Sequence, residues 1–232
     1  MEIIPIKTRI FKEGEKLENF IREHIPVLAN ASIIAVTSKI VALSEGRVRT
    51  AKNETQKEEI IRSESTWMKR TKHVLITLKD GILMANAGVD ESNADGKLIL
   101  LPEDSYASAE KIRAALLREY RCNELGVVIT DSRVAPMRAG VVGIALGYAG
   151  FKGVRDYRGK ADIFGREMIF TRTNIADSLA IASVLVMGEG NEQYPLAIAE
   201  DAPVEFTDVV DIRELKIEPS EDMYAPILAL ED

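Results

Sequence analysis

One twelve-residue run constrains the fold more than any other part of the chain. Residues 176–187, ADSLAIASVLVM, are almost wholly apolar, and Asn174 stands just ahead of them as a helix cap. A helix that is apolar on every side must be covered on every side. This one is therefore expected to be buried, with Gly188 ending it. Something layered has to enclose it, and the rest of the chain supplies the layers.

Short apolar runs read as buried strands: EIIPIK (2–7), SIIAVT (32–37), LGVVIT (125–130) and YPLAIA (194–199). Leu17, Phe20, Ile21 and Ile25 make one helical face within 15–25. SKIVALSEGR (38–47) follows as a short helix closed by Gly46, and the charged stretch 53–69 is read as helical. Residues 74–88 form a hairpin turning at Asp80-Gly81. Ser105 is expected to cap a helix running to Tyr120. AGVVGIALGYAG (139–150) carries glycines at 140, 143, 147 and 150, so bends, bulges or close backbone approach are expected there. DIFGREMIFT (162–171) reads as a second hairpin around Gly165. The fold class is mixed α/β (α+β). One domain spans 1–207, with room for two lobes, and 208–232 is an acidic, surface-wrapping tail.

Composition removes several functions. The single cysteine, Cys122, excludes an intrachain disulfide framework, and cytoplasm is the expected location. No apolar run approaches ~18 residues, so no membrane span is expected. No secretory signal is visible. The formal charge is −7 with no basic block, which argues against nucleic acid as a partner.

Three blocks place oxygen donors beside glycines at the ends of apolar runs: NAGVDESN (86–93), VVITDS (127–132) and LVMGEGNE (185–192). Together they offer Asp90, Asn93, Asp131, Ser132 and Glu189. Hard oxygens of this kind suit Mg²⁺ or Mn²⁺, which share their remaining positions with water and phosphate. They suit zinc poorly, since Cys122, His24 and His73 are the only soft or imidazole ligands. A calcium loop starting at Glu91 fails because its twelfth position is Pro102. Each block has a plainer reading as a capped, solvated turn. RDYRGKADIFGRE (155–167) reads either as a salt-laced surface hairpin or as a source of phosphate-binding guanidinium groups, Arg155, Arg158 or Arg166.

Taken in order, the blocks resemble the γ-glutamyl ligase family of the deazaflavin coenzyme F-420. The resemblance rests on NAGVDESN, LLPEDSYASAEKIR, VVITDS, the run from MRAGVVGI through ADIFGRE, and ADSLAIASVLVMGEG, with IIAVTSKIVALSEGRV as the best early match. It runs from about residue 3 to 198. It implies that family's own mixed fold as an intertwined homodimer. It also implies GTP-dependent γ-glutamyl amide formation from L-glutamate and a carboxylate acceptor, with a divalent metal. By position the metal ligands fall on Asp90, Asp131 and Ser132, with Glu189 brought to the nucleotide site. Ser38, Lys39 and Asn93 become nucleotide contacts, and Arg138 a retained catalytic arginine beside Asp131. The chain departs from the pattern at Thr8 and Arg9, at Leu43 where a lysine is expected, and at Val134 and Ala135. These departures keep two alternatives open: another acceptor, or a relative that binds nucleotide and metal without turnover.

Overall fold

In the computed structural model, which describes residues 1–224 and 226, the apolar runs become the strands of one mixed sheet. The chain opens with β1 (Glu2–Ile6) and α1 (Leu17–His24), then passes through β2 (Ser32–Thr37) directly into α2 (Ser38–Ser44). A small lobe follows: β3 (Val48–Arg49), α3 (Glu54–Ser63), β4 (Trp67–Arg70), β5 (Leu75–Lys79), β6 (Ile82–Ala85) and β7 (Leu98–Ile99). The chain returns through α4 (Ser105–Tyr120), β8 (Leu125–Val134) and β9 (Val141–Ala149). The short pair β10 (Val154–Asp156) and β11 (Arg172–Asn174) then leads into α5 (Ile175–Met187) and β12 (Leu196–Glu200).

The main sheet has the order β1-β12-β2-β8-β9. Only β2 and β8 run parallel, in register from Ser32 opposite Leu125 to Thr37 opposite Thr130. Both faces are covered. Phe20, Ile21, Ile112 and Leu116 from α1 and α4 pack on Ile34, Val36, Val127 and Ile129. On the opposite face Leu179, Ala180 and Met187 of α5 meet Ile33, Ala35, Val128 and Ala197. The small lobe has its own core of Ile61, Leu75, Val89, Leu98 and Leu100. It docks on the main core through Ile82 and Met84.

The glycine-dense run is a single long strand, and its glycines mark both a bulge and close approaches. Ile129 pairs with Gly147 and Thr130 with Ala145, so Leu146 is the extra, bulged residue. A Cβ on Gly143 would lie 2.4 Å from the Ala180 carbonyl oxygen of α5. One on Gly147 would lie 2.4 Å from the Ser105 carbonyl carbon of α4. The two helices thus reach β9 from opposite faces because no side chain stands in the way.

Several expectations need correction. The charged stretch 53–69 is helical only to Ser63, and Trp67–Arg70 pairs with β5, an aromatic and long side chains favouring a half-buried strand over propensity. Ser105 is the first residue of α4; its cap is Asp104, whose side chain accepts from the Ala107 N–H at 2.9 Å. The turn at Gly165 carries a single bridge, Ala161 to Glu167. Backbone bonds nevertheless join its two arms, the Asp162 N–H to the Arg166 carbonyl at 2.8 Å and the Met168 N–H to the Lys160 carbonyl at 2.9 Å. Asp162 also accepts from the N–H groups of Phe164 and Arg166, so the expected hairpin is present with a short ladder. α5 is covered on one face only: Ile181 and Leu185 are 42% and 81% exposed. The expectation of a wholly buried helix fails because one sheet face can cover only one side of it.

Beyond β12 the chain crosses the second face of the sheet, laying Val204, Phe206 and Leu215 on the α5-side core. Asp208 pairs at 2.6 Å with Arg113, a buried guanidinium that also donates to the Leu125 carbonyl. Glu214 accepts from the Tyr148 hydroxyl and, at 2.7 Å, from the Gly153 N–H. The end of the acidic tail, 225 and 227–232, lies outside the described residues.

Candidate active-site cleft

Ligands in open sheets containing parallel strands gather beyond the carboxyl ends of those strands. Here β2 and β8 end side by side at Thr37 and Thr130, and a cleft of about 660 Å³ opens there. It lies between the main sheet and the small lobe, bounded by the α5 terminus. Three segments far apart in sequence meet in it. β8 continues past the parallel pairing to deliver Asp131 and Ser132. The small lobe sends Asp90 and Asn93 from the loop after β6, and the end of α5 supplies Gly188 and Glu189.

The loop carrying Asp90 is pinned from both sides. Asp90 accepts from the Ser92 N–H at 2.6 Å and from the Ser92 hydroxyl at 3.0 Å, a local turn of the Asx type. Lys39, from the first turn of α2, places its ammonium 2.7 Å from Asp90 and 2.8 Å from the Ser92 carbonyl. Asn93 donates to the Gly190 carbonyl at 3.1 Å, joining the small lobe to the loop after α5. Glu192 folds back to accept from the Gly190 N–H at 2.8 Å. Ser92 and Glu192 were missed in the sequence reading. The Asp-x-Ser spacing at 90–92 was the available signal for the first.

The electrostatics are uneven. Burial alone would raise Asp90, but the Lys39 bond and the two Ser92 bonds outweigh it and hold its carboxyl below the usual range. Asp131 is pushed up to about 7, chiefly by burial and further by the charges of Asp90 and Glu189. Glu189 is raised by burial despite a bond from Ser132. Asp90, Asp131 and Glu189 thus face one Lys39. Among the described residues no group of three or more His, Cys, Asp or Glu is assembled to hold an ion as it stands. Toward Asp90, the Lys39 ammonium serves as the counterion.

The other end of the cleft is apolar, lined by Ile10, Phe11, Leu43, Ile99 and Leu101. Thr8 and Arg9 also line it. The Arg9 guanidinium is committed to Glu15 at 2.7 Å and Glu23 at 2.9 Å. Thr130, at the junction of β8 with the site, is 1% exposed, and its hydroxyl has no hydrogen-bond partner.

Of the residues singled out from sequence, Ser38, Lys39, Asp90, Asn93, Asp131, Ser132 and Glu189 line this one cleft. Arg138 and Arg155 do not. Arg138 sits exposed in the β8–β9 turn, and Arg155 donates to the Pro203 carbonyl at the base of the β10–β11 arm. The alternating charges of 155–167 build that solvated arm, with Arg158 paired to Asp156 at 2.6 Å.

Comparison with known proteins shows the family. The family model described as F420-0:Gamma-glutamyl ligase matches residues 5–201. The chain belongs to that family. Similar relatives include three proteins named coenzyme F420:L-glutamate ligase. That of Methanopyrus kandleri is 35% identical, with 85% of each chain covered. That of Methanocaldococcus jannaschii is 34% identical over 89% of this chain and 90% of the relative. That of Archaeoglobus fulgidus is 31% identical over 85% and 86%. The family match spans all three donor blocks and both lobes. It stops at the end of the last strand, so the segment that crosses the second sheet face lies outside it. No described helix is long and apolar enough to cross a membrane.

Proposed function

We propose that this chain is a metal-dependent, GTP-driven γ-glutamyl ligase that joins L-glutamate to a carboxylate acceptor of the coenzyme F-420 type. The observation that carries the reading is the meeting of Asp90, Asp131, Ser132, Glu189 and Lys39 in one cleft at the end of the parallel strand pair. Family membership and the names of the relatives support the glutamate-ligase part.

A carboxylate does not condense with an amine unaided in water. In the proposed sequence an acceptor carboxylate oxygen attacks the γ-phosphorus of GTP and GDP leaves. The amine of glutamate then attacks the acyl carbon of the resulting acyl phosphate, phosphate leaves with the bonding pair, and the nitrogen gives up a proton. Such transfer depends mainly on positioning and charge neutralisation, so no protein nucleophile is required. Asp90, Asp131, Ser132 and Glu189 are the residues that would hold Mg²⁺ or Mn²⁺, and their hard oxygens and crowded negative charge fit such an ion. When bound, the ion would neutralise phosphate charge and polarise the phosphoryl group. Lys39, Ser38 and Asn93 serve the phosphates, and the apolar end of the cleft takes a flat ring.

The chain is proposed to work as a homodimer. Ile181 and Leu185 on α5 and Ile163, Phe164, Ile169 and Phe170 on the arm are exposed apolar side chains on two neighbouring elements. Such surface calls for a partner.

Glutamate-dependent phosphate release from GTP tests the reading. It should require Mg²⁺ or Mn²⁺, glutamate and the deazaflavin acceptor together. Nucleotide binding without release in the presence of any acceptor would establish a non-catalytic relative instead. Thr8, Arg9 and Leu43, which depart from the family pattern, all line the cleft. They favour screening other carboxylate acceptors, folate-like ones included, in the same assay.

A further inference from the structure

Two buried side-chain hydroxyls of the described chain have no hydrogen-bond partner, Ser32 Oγ and Thr130 Oγ1. Both residues are 1% exposed and both lie on the parallel pair β2–β8. They sit at opposite ends of it. Ser32 pairs with Leu125 where β8 begins, and Thr130 pairs with Thr37 where the cleft opens, about 16 Å further along at ~3.3 Å per residue. Thr130 lines the cleft and Ser32 does not. A buried hydroxyl without a partner costs stability, so a fold gains by replacing it unless something else satisfies it. At Thr130 the bulge at Leu146 shifts the β9 register on the residue itself. The strand is thereby re-aimed just before Asp131 and Ser132.

We propose that the Thr130 hydroxyl is a substrate-binding group, satisfied when it donates to an oxyanion oxygen of a ligand in the cleft. The oxyanion is either a phosphate of the nucleotide or a carboxylate of the amino acid or acceptor. The proposal rests on the ligase reading, which fixes those ligands as the cleft's occupants. An O–H in the cleft that Lys39 and the proposed metal-binding residues also line adds directionality to a site whose other attractions are charge. Valine matches threonine in shape and lacks only the hydroxyl, which makes it the informative replacement.

The test compares wild type, Thr130→Val, Thr130→Ser and Ser32→Ala. Thermal unfolding is recorded without ligand, and binding is titrated separately with GTP plus Mg²⁺ and with glutamate plus Mg²⁺ and GDP. Thr130→Val and Ser32→Ala should both unfold at or above the wild-type midpoint when ligand is absent. Thr130→Val should then bind about ten-fold more weakly in one titration, which names the oxyanion: nucleotide phosphate in the first, carboxylate in the second. Thr130→Ser should restore binding, and Ser32→Ala should bind as wild type. Wild-type affinity of Thr130→Val in both titrations would overturn the proposal while leaving the ligase reading intact. Absence of binding by wild type itself would overturn both.

Discussion

Asp131→Asn should make the ligand-free protein more stable while removing the metal-dependent nucleotide binding proposed for the cleft. An ordinary aspartate titrates at 3.8, and Asp131 is pushed up to about 7 by burial and by Asp90 and Glu189. Between those values the folded protein keeps a proton that the unfolded chain has lost. Stability therefore falls as pH rises through the window, and the penalty is complete above about 7. The whole interval corresponds to about 4 kcal/mol at ~1.36 kcal/mol per pH unit. Water entering an open cleft and the nearby Lys39 relax that figure, so about 2 kcal/mol is expected at pH 8. For a chain of this length that raises Tm by roughly 4–8 °C. The assay is unfolding in EDTA at pH 5 and pH 8, repeated with Mn²⁺ and GTP. Wild type should lose stability from pH 5 to pH 8 and the variant should lose less. With metal and nucleotide the order should reverse, because only wild type gains the roughly 2.7 kcal/mol expected at about 100 times Kd. An Asp131→Asn protein less stable than wild type at pH 8 in EDTA would refute the argument, as would undiminished metal-dependent GTP binding.

Four further outcomes follow from the same geometry. Lys39→Met should weaken triphosphate binding about 10- to 100-fold, the value of a charge-assisted bond of ~1.5–3 kcal/mol, as read by calorimetric titration. Gly147→Ala should destabilise by at least about 1–3 kcal/mol in denaturant unfolding, because its Cβ would meet the Ser105 backbone at 2.4 Å and neither partner can yield as a side-chain tip would. Metal affinity of the wild type should fall as pH drops below about 7, since the Asp131 carboxyl must release its proton to act as a ligand, and isothermal titration from pH 6 to pH 8 reads this. Leu185→Asp, at an exposed position of α5, should shift the sedimentation mass toward one chain without lowering Tm of the monomeric fraction; an unchanged mass would remove that face from the proposed interface.

Much of the fold was legible because local signals agreed with one another. SIIAVT and LGVVIT are strands with the expected bounds at their buried ends, and Asn174 caps α5 by accepting from the Asp177 N–H. The Asp80-Gly81 turn holds with both residues at positive φ. What failed was long-range. The surface around α5 depends on what else packs there, which twelve apolar letters do not state. Trp67 joins a strand because β5 lies beside it, and β5 comes after it in the chain. The candidate site divides the same way. Its donors were readable as oxygen ligands next to glycine. Their meeting in one cleft follows from a topology that sends β8 beyond its parallel partner and folds the small lobe over the end of the sheet.

The arginines show why residue type alone misleads at such a site. Arg9 lies in the cleft but is held by two glutamates, and Arg155 lies outside it on a backbone carbonyl. Both look free in the sequence, and both guanidinium groups are engaged by the protein itself in the folded chain. Lys39 reads as one more lysine in a short helix, yet it is the cation that meets Asp90 and closes the loop carrying it. Its pairing also explains how three carboxylates can share an entrance without a preformed ion cage. Asp90 is compensated by the ammonium, Asp131 is raised until it keeps its proton near neutrality, and Glu189, just beyond α5, is raised by its partial burial. A divalent ion arriving with a triphosphate would take over the first role and displace the proton of the second. Under the proposed function, Lys39 would then be free to turn from Asp90 to a phosphate of the nucleotide. Ligand-free order and ligand binding would then use one set of charges in two arrangements, with Lys39 as the residue that changes partner.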